Sequence, residues 1–235
     1  MKTVIIACRT VEKELNAAMQ RTQTGHGVIW LDSGAHASPE KLHLLLKKTL
    51  AETEAQRVLL AMGFCGGALK GLRSGDFELI VPRADDCISL LLGSVEKRLA
   101  VSRAEAAYFL TDGWLNGEWN LWTEYRYTLE NYGEETARTV AEMLYGHYRT
   151  LGVLDTGVRS PEPLLERTKV IADTLHLTQK VIPGTLAWLE RLLTGPWEEG
   201  SFLLLPPHGE ITAEDMRLPG ESGESVPPAQ LHRMT

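Results

Sequence analysis

The stretch Ala61–Ser94, AMGFCGGALKGLRSGDFELIVPRADDCISLLLGS, decides how this chain is read. It begins where an apolar run, Arg57–Met62 (RVLLAM), enters a glycine-rich turn, Gly63–Gly67 (GFCGG). A second run, Phe77–Val81 (FELIV), is stopped by Pro82. Asp85 or Asp86 can then cap a helix that starts near Cys87. Both runs are short and apolar without alternation, the pattern of strands buried on both faces in a parallel sheet. Cys65 and Cys87 therefore stand just past the carboxyl ends of two strands.

The same unit repeats on either side. Toward the N-terminus, Thr3–Ala7 (TVIIA) is a strand with Cys8 at its carboxyl end. Val11, Leu15, Ala18 and Met19 then recur at helical spacing. Val28–Leu31 is a strand, followed by the polar loop 32–37. Ser38 and Pro39 open a helix as N-cap and first helical residue. Toward the C-terminus, Ala106–Leu110, Gly152–Leu154, Leu177–Ile182 and Phe202–Leu205 read as strands. Helices separate them, including a pair broken at Gly133. This alternation predicts an α/β fold, a three-layer α/β/α arrangement with a mostly parallel sheet. It forms a single domain over 1–207. Residues 208–235 lack periodicity and are rich in Gly, Pro, Ser and Glu, which predicts a loosely packed or disordered arm.

Composition narrows the function. A formal charge of −7 without any Lys/Arg run excludes a binder of nucleic-acid phosphates. No apolar stretch approaches the roughly 18–20 residues that span a bilayer, and the apolar run after Lys2 is too short for a signal-peptide core. A cytoplasmic protein without a membrane partner is expected. The chain has 3 cysteines in 235 residues, an odd number and too few for a disulfide scaffold. In a reducing compartment they are free, metal-bound or redox-active. The chain lacks the G-x-S-x-G elbow, both glycine-rich nucleotide fingerprints and every paired-histidine metal spacing.

In open α/β sheets, ligands sit outside the carboxyl ends of the strands. Here those positions hold Cys8, Asp32, Gly63–Gly67, Pro82–Cys87, Thr111–Trp114, Asp155, Thr156 and His208. The strand starts (Lys2, Arg57, Asp76) show nothing comparable. Cys8, Cys65 and Cys87 together make a soft ligand set for zinc, copper(I) or an iron–sulfur cluster, and spacing does not separate zinc from iron. Three protein ligands leave a fourth position open for a small-molecule ligand. Gly63, Gly66 and Gly67 let backbone approach a cofactor closely. Cys87, in the first turn of a helix, gains from the helix dipole, and Arg83 adds charge nearby. Asp86 is either the cap of that helix or a contributor to the metal site. Thr111 and Asp155 either orient a ligand or cap the next connection. Against all this stands packing alone, since free cysteine is among the most buried residue types. Thiol chemistry without a metal is a third reading.

Ala7-Cys8, Gly63-Phe64-Cys65-Gly66, Val81-Pro82-Arg83 with Asp85-Asp86-Cys87-Ile88, and Leu92-Gly93-Ser94 together resemble a prokaryotic family, domain-of-unknown-function family 1638. Leu110-Thr111, Gly113-Trp114 and Leu154-Asp155-Thr156-Gly157 extend the resemblance, whose most specific part is Pro82–Cys87. It implies a shared fold and a shared three-cysteine pattern. The family occurs in anaerobes, among them organisms with corrinoid-dependent methyl transfer. The resemblance therefore points to one-carbon or methyl metabolism and to a corrinoid protein as partner. The expectation is a metal- or iron–sulfur-binding protein. The alternatives are a non-catalytic carrier or sensor of a metal or corrinoid, and a metal-free thiol-dependent enzyme.

Overall fold

The computed structural model describes residues 1–218. Among them the strands are β1 (Thr3–Cys8), β2 (Gly27–Leu31), β3 (Arg57–Ala61), β4 (Glu78–Pro82), β5 (Ala107–Leu110), β6 (Thr150–Asp155), β7 (Thr178–Pro183) and β8 (Phe202–Leu205). The helices are α1 (Glu12–Thr22), α2 (Pro39–Ala51), α3 (Cys87–Leu92), α4 (Val95–Glu105), α5 (Asp112–Leu115), α6 (Leu121–Tyr145), α7 (Glu162–Thr174) and α8 (Ala187–Thr194). The chain is α/β, and its strand pairing is parallel except at one edge.

The strands divide between two sheets, where the sequence reading drew one. The first has the order β2-β1-β3-β4-β8, and the second the order β5-β6-β7. Strand alternation shows how they stack. Ile5, Ala7, Leu59, Ala61 and Ile80 of the first sheet share one core with Ala107, Phe109, Leu154 and Ile182 of the second. Helices α1, α3 and α8 contribute Leu15, Leu90 and Leu189 to that core. Ile6, Val58, Leu60 and Val81 face the other way, onto Leu42, Leu46 and Leu50 of α2. Tyr108, Leu110 and Leu151 pack on Ala141 and Tyr145 of α6 and on Ile171 of α7. Each sheet is thus covered on both faces, and the two share their middle layer of helices. One-residue alternation sends neighbouring side chains into different cores.

Caps form where the sequence placed them. Ser38 Oγ accepts from the Lys41 amide at 3.1 Å, and Asp86 caps α3. The break at Gly133 becomes a kink inside one helix, with φ 82° and ψ 171°. Residues 208–218 lie along the first sheet's outer core. Ile211 is fully buried and exchanges backbone hydrogen bonds with Gly71 and Leu72, and Arg73 pairs with Glu210. The rest of the expected arm lies outside the described residues.

Candidate functional site

Three parallel strands of the first sheet are each followed by a short 3₁₀ segment at one rim. Arg9–Val11 follows β1, Ser33–Ala37 follows β2, and Cys65–Gly67 lies four residues after β3. The three cysteines occupy this rim. Cys8 ends β1, Cys65 opens its turn, and Cys87 opens α3 beyond β4. Cys8 and Cys65 are buried, Cys87 is half-buried, and all three are free thiols.

The loops after β3 and β4 are stitched together by backbone. The Phe64 amide donates to the Ala84 carbonyl and the Cys65 amide to the Asp85 carbonyl, both at 2.7 Å. Gly63 makes that approach possible: a Cβ there would lie 2.7 Å from the Asp86 Cα and amide nitrogen. Cys65, Gly66 and Gly67 all have positive φ (45°, 66° and 91°). Two glycines adopt that region freely, but Cys65 is held there against its preference. Non-glycine residues in such conformations concentrate at functional sites.

Burial dominates the electrostatics of all three thiols. Burial pushes the Cys65 thiol well above its ordinary value, and Asp86, Cys8 and Asp85 push it further. Burial does the same to Cys87, followed by Asp86, Cys65 and Cys8, while the Thr10 hydroxyl acts in the opposite sense. Burial also raises Cys8, again opposed by Thr10. Each thiol is therefore protonated in the metal-free chain. Thr10 is 1% exposed, and its hydroxyl has no well-aligned hydrogen-bond partner among the described residues. Those residues contain no group of three or more His, Cys, Asp and Glu already drawn together as a metal cage.

Acids and a cation lie beneath the thiols. Asp86 Oδ1 accepts from the Ile88 and Ser89 amides at 2.8 and 3.1 Å, and Ser89 Oγ donates to Asp85. Arg98, only 2% exposed, reaches Asp85 at 3.3 Å and Asp86 at 3.8 Å. Burial and the neighbouring Asp85 lift the Asp86 carboxyl to about 7, against the pull of Arg98.

The remaining predicted residues lie as follows. Gly66 and Gly67 belong to the turn after Cys65, and no atom stands within 4 Å of where a Gly67 Cβ would be. Thr111 caps α5 by accepting from the Trp114 amide at 3.1 Å. The Trp114 ring meets His36 edge-on at 6.0 Å. Asp155 ends β6 in the second sheet, where Oδ1 accepts from the Gly157 amide at 2.9 Å. Arg83 faces the C-terminal segment: Nε and Nη1 donate to the Glu199 and Asp215 carbonyls at 2.8 and 2.7 Å. The cation that reaches the acids beside the thiols is Arg98 instead.

Two histidines differ from what the sequence implies. His208 is the histidine that the sequence sets after the last strand, among the residues past the strand ends. Because β8 runs antiparallel to β4, its carboxyl end lies at the opposite rim, where His208 Nε2 is 3.2 Å from exposed Asp76. His36, a loop residue that sequence reads as solvent-facing or locally hydrogen-bonded, brings Nε2 to 2.9 Å from Cys8 Sγ. Burial drops its imidazole to about 4, so the ring is neutral. Its only sequence signal is its place in the loop after β2, at the same rim as Cys8.

No curated protein and no solved structure matches the chain. A family model described as "Protein of unknown function (DUF1638)" matches residues 30–193. The matched span contains Cys65, Cys87 and the Asp85–Asp86 pair, while Cys8 precedes it. With most of its length inside that match, the chain belongs to the DUF1638 family.

Proposed function

We propose that this protein binds a metal ion or an iron–sulfur cluster through Cys8, Cys65 and Cys87 at the rim of the first sheet. The observation that carries this reading is placement: three free thiols far apart in sequence stand past the carboxyl ends of β1, β3 and β4, at one rim of a parallel sheet. A cation among them would replace their protons, and metal binding at thiols releases protons in this way. Three soft ligands suit zinc or iron. His36, 2.9 Å from Cys8, is placed to complete the set or to orient it. Gly66 and Gly67 give the Cys65 turn freedom to close on the ion, and the Arg98–Asp85–Asp86 group fixes the start of α3 beneath Cys87. When bound, the metal would supply Lewis acidity or electron storage. The chain's own residues hold and shield it.

A small-molecule ligand at the open coordination position, a cytoplasmic location and a place in methyl-group or one-carbon metabolism beside a corrinoid protein complete the proposal. Among the described residues no helix is long and apolar enough to cross a membrane, and the three cysteines are free thiols. The metabolic setting rests on the sequence resemblance alone, since the matching family's description names no function. A carrier or sensor that binds without turnover would use the same ligand set.

The Cys8–His36 contact favours a second reading, a metal-free thiol-dependent enzyme with Cys8 as nucleophile. Anaerobic purification with elemental analysis and a visible spectrum separates the two. The first reading predicts bound zinc, or iron with sulfide and broad absorbance near ~400 nm, lost together in Cys65→Ser and Cys87→Ser. Metal lost from one variant and kept by the other would contradict it. A metal-free chain alkylated faster at Cys8 than at Cys65 and Cys87, with that preference lost in His36→Ala, would favour the second.

A further inference from the structure

A line of side chains in contact runs from Cys8 out to an exposed histidine on the second sheet's side. Cys8 Sγ lies 2.9 Å from His36 Nε2. The His36 ring meets Trp114 edge-on, with centroids 6.0 Å apart. Trp114 Nε1 donates to the Tyr108 hydroxyl at 3.4 Å. Tyr108 packs edge-on against Tyr148 at 5.4 Å and against Tyr145 at 6.0 Å. Half-buried Tyr148 lies against exposed His147, with 4.0 Å between ring centres. Cys8 and Tyr108 are each 1% exposed, so neither is open to a reagent in solution.

The make-up of this line differs from ordinary packing. The chain has 4 Phe, and all of them, Phe64, Phe77, Phe109 and Phe202, lie in the other two cores. The core around Tyr108 has only tyrosine and tryptophan as its aromatic members among the described residues. A buried phenol needs hydrogen-bond partners that a phenyl ring does not. The chain supplies them: the Leu121 amide donates to the Tyr108 hydroxyl at 3.3 Å, and the Tyr145 hydroxyl donates to Glu124. What phenol and indole add over phenyl is chemical, because both give up one electron far more readily.

We infer that this line passes single electrons from the buried Cys8 thiol to a one-electron acceptor that meets the protein at the His147–Tyr148 surface. The acceptor is an outer-sphere oxidant and is reduced by one electron. Trp114, Tyr108 and Tyr148 each hand the electron on and return to their starting state. At the inner end the Cys8 S–H bond breaks. Its electron leaves through Trp114, its proton forms an N–H bond at His36 Nε2, and a thiyl radical remains. Oxidation of a cysteine ordinarily follows exposure and thiolate character, and here contact between rings replaces access. The inference goes beyond the metal reading, since no metal takes part in the step.

A ruthenium polypyridyl photo-oxidant coordinated to His147 of the full chain tests it. Prior chelation makes the outcome independent of whether the protein binds a metal. In air a thiyl radical adds dioxygen and is held as a sulfur oxyacid on the cysteine oxidation ladder, which peptide mass spectrometry reads at Cys8. Flash oxidation from His147 should convert Cys8. Conversion should fall at least tenfold in Tyr108→Phe, which keeps the ring and removes the phenol, and in Trp114→Phe. The same photo-oxidant on His208, at the opposite rim beside Asp76, should convert Cys8 at least tenfold less. No conversion from His147, equal conversion from His208, or an unaltered yield in either phenylalanine variant would overturn the inference. Metal content plays no part in this readout, so a failure of the metal reading and a failure of this one are read separately.

Discussion

Arg98 sits in a helix whose sequence, VEKRLAVSRAE, reads as a solvated surface. Nothing within that helix signals that its guanidinium is withdrawn from water, because the cause is tertiary: Asp85 and Asp86 arrive from the loop after β4. Removing one partner of a buried ion pair leaves the other desolvated and uncompensated. Arg98→Met is therefore expected to lower stability by roughly 3 kcal/mol, read as a reduced denaturation midpoint in urea. An unchanged midpoint would show that the acids are better solvated than their burial indicates. His36 was hidden for the same reason. A histidine in a polar loop carries no mark of the sulfur it meets, and only the parallel pairing of β1 and β2 brings their following turns together. The three cysteines and the Asp86 cap were legible, since strand ends and helix starts are local patterns.

At the scale of elements, the join between the β3 and β4 loops is the feature on which the site depends. Gly63 packs against backbone that cannot rotate aside, with the Asp86 Cα at 2.7 Å and the Ala84 carbonyl at 2.8 Å from its missing Cβ. Gly63→Ala should part the loops, cost about 1–3 kcal/mol through overpacking, and lower metal content by separating Cys65 from Cys87. Thermal melting and elemental analysis of the variant check this together. Full metal occupancy in Gly63→Ala would mean that the two loops need not touch for the site to form. Strand positions were legible to within a residue or two from apolar runs bounded by Gly and Pro. Strand direction was not. Phe202–Leu205 has the same composition as a parallel strand, and its antiparallel pairing with β4 carries His208 to the far rim.

Across the whole molecule, two sheets share one helical layer, an arrangement invisible to a reading that finds strands but not their partners. β5 and β6 are apolar on both faces like β1, β3 and β4, so nothing in their composition marks the boundary between sheets; β7, TQKVIP, is largely exposed at its edge. The last described segment fastens onto the first sheet through Ile211 and through Arg83, which holds the Glu199 and Asp215 carbonyls. Arg83→Ala should loosen that segment by about 1 kcal/mol while leaving metal content intact. Faster limited proteolysis within 206–218 is the expected readout, and loss of metal in this variant would instead return Arg83 to the thiol site.

The central claim is that three sulfurs from three separate loops hold one metal. X-ray absorption at the iron or zinc edge of the anaerobically purified protein tests it most directly. The account predicts at least three sulfur neighbours at about 2.3 Å from the metal. A shell of nitrogen and oxygen alone, or a protein that carries neither metal, would contradict it.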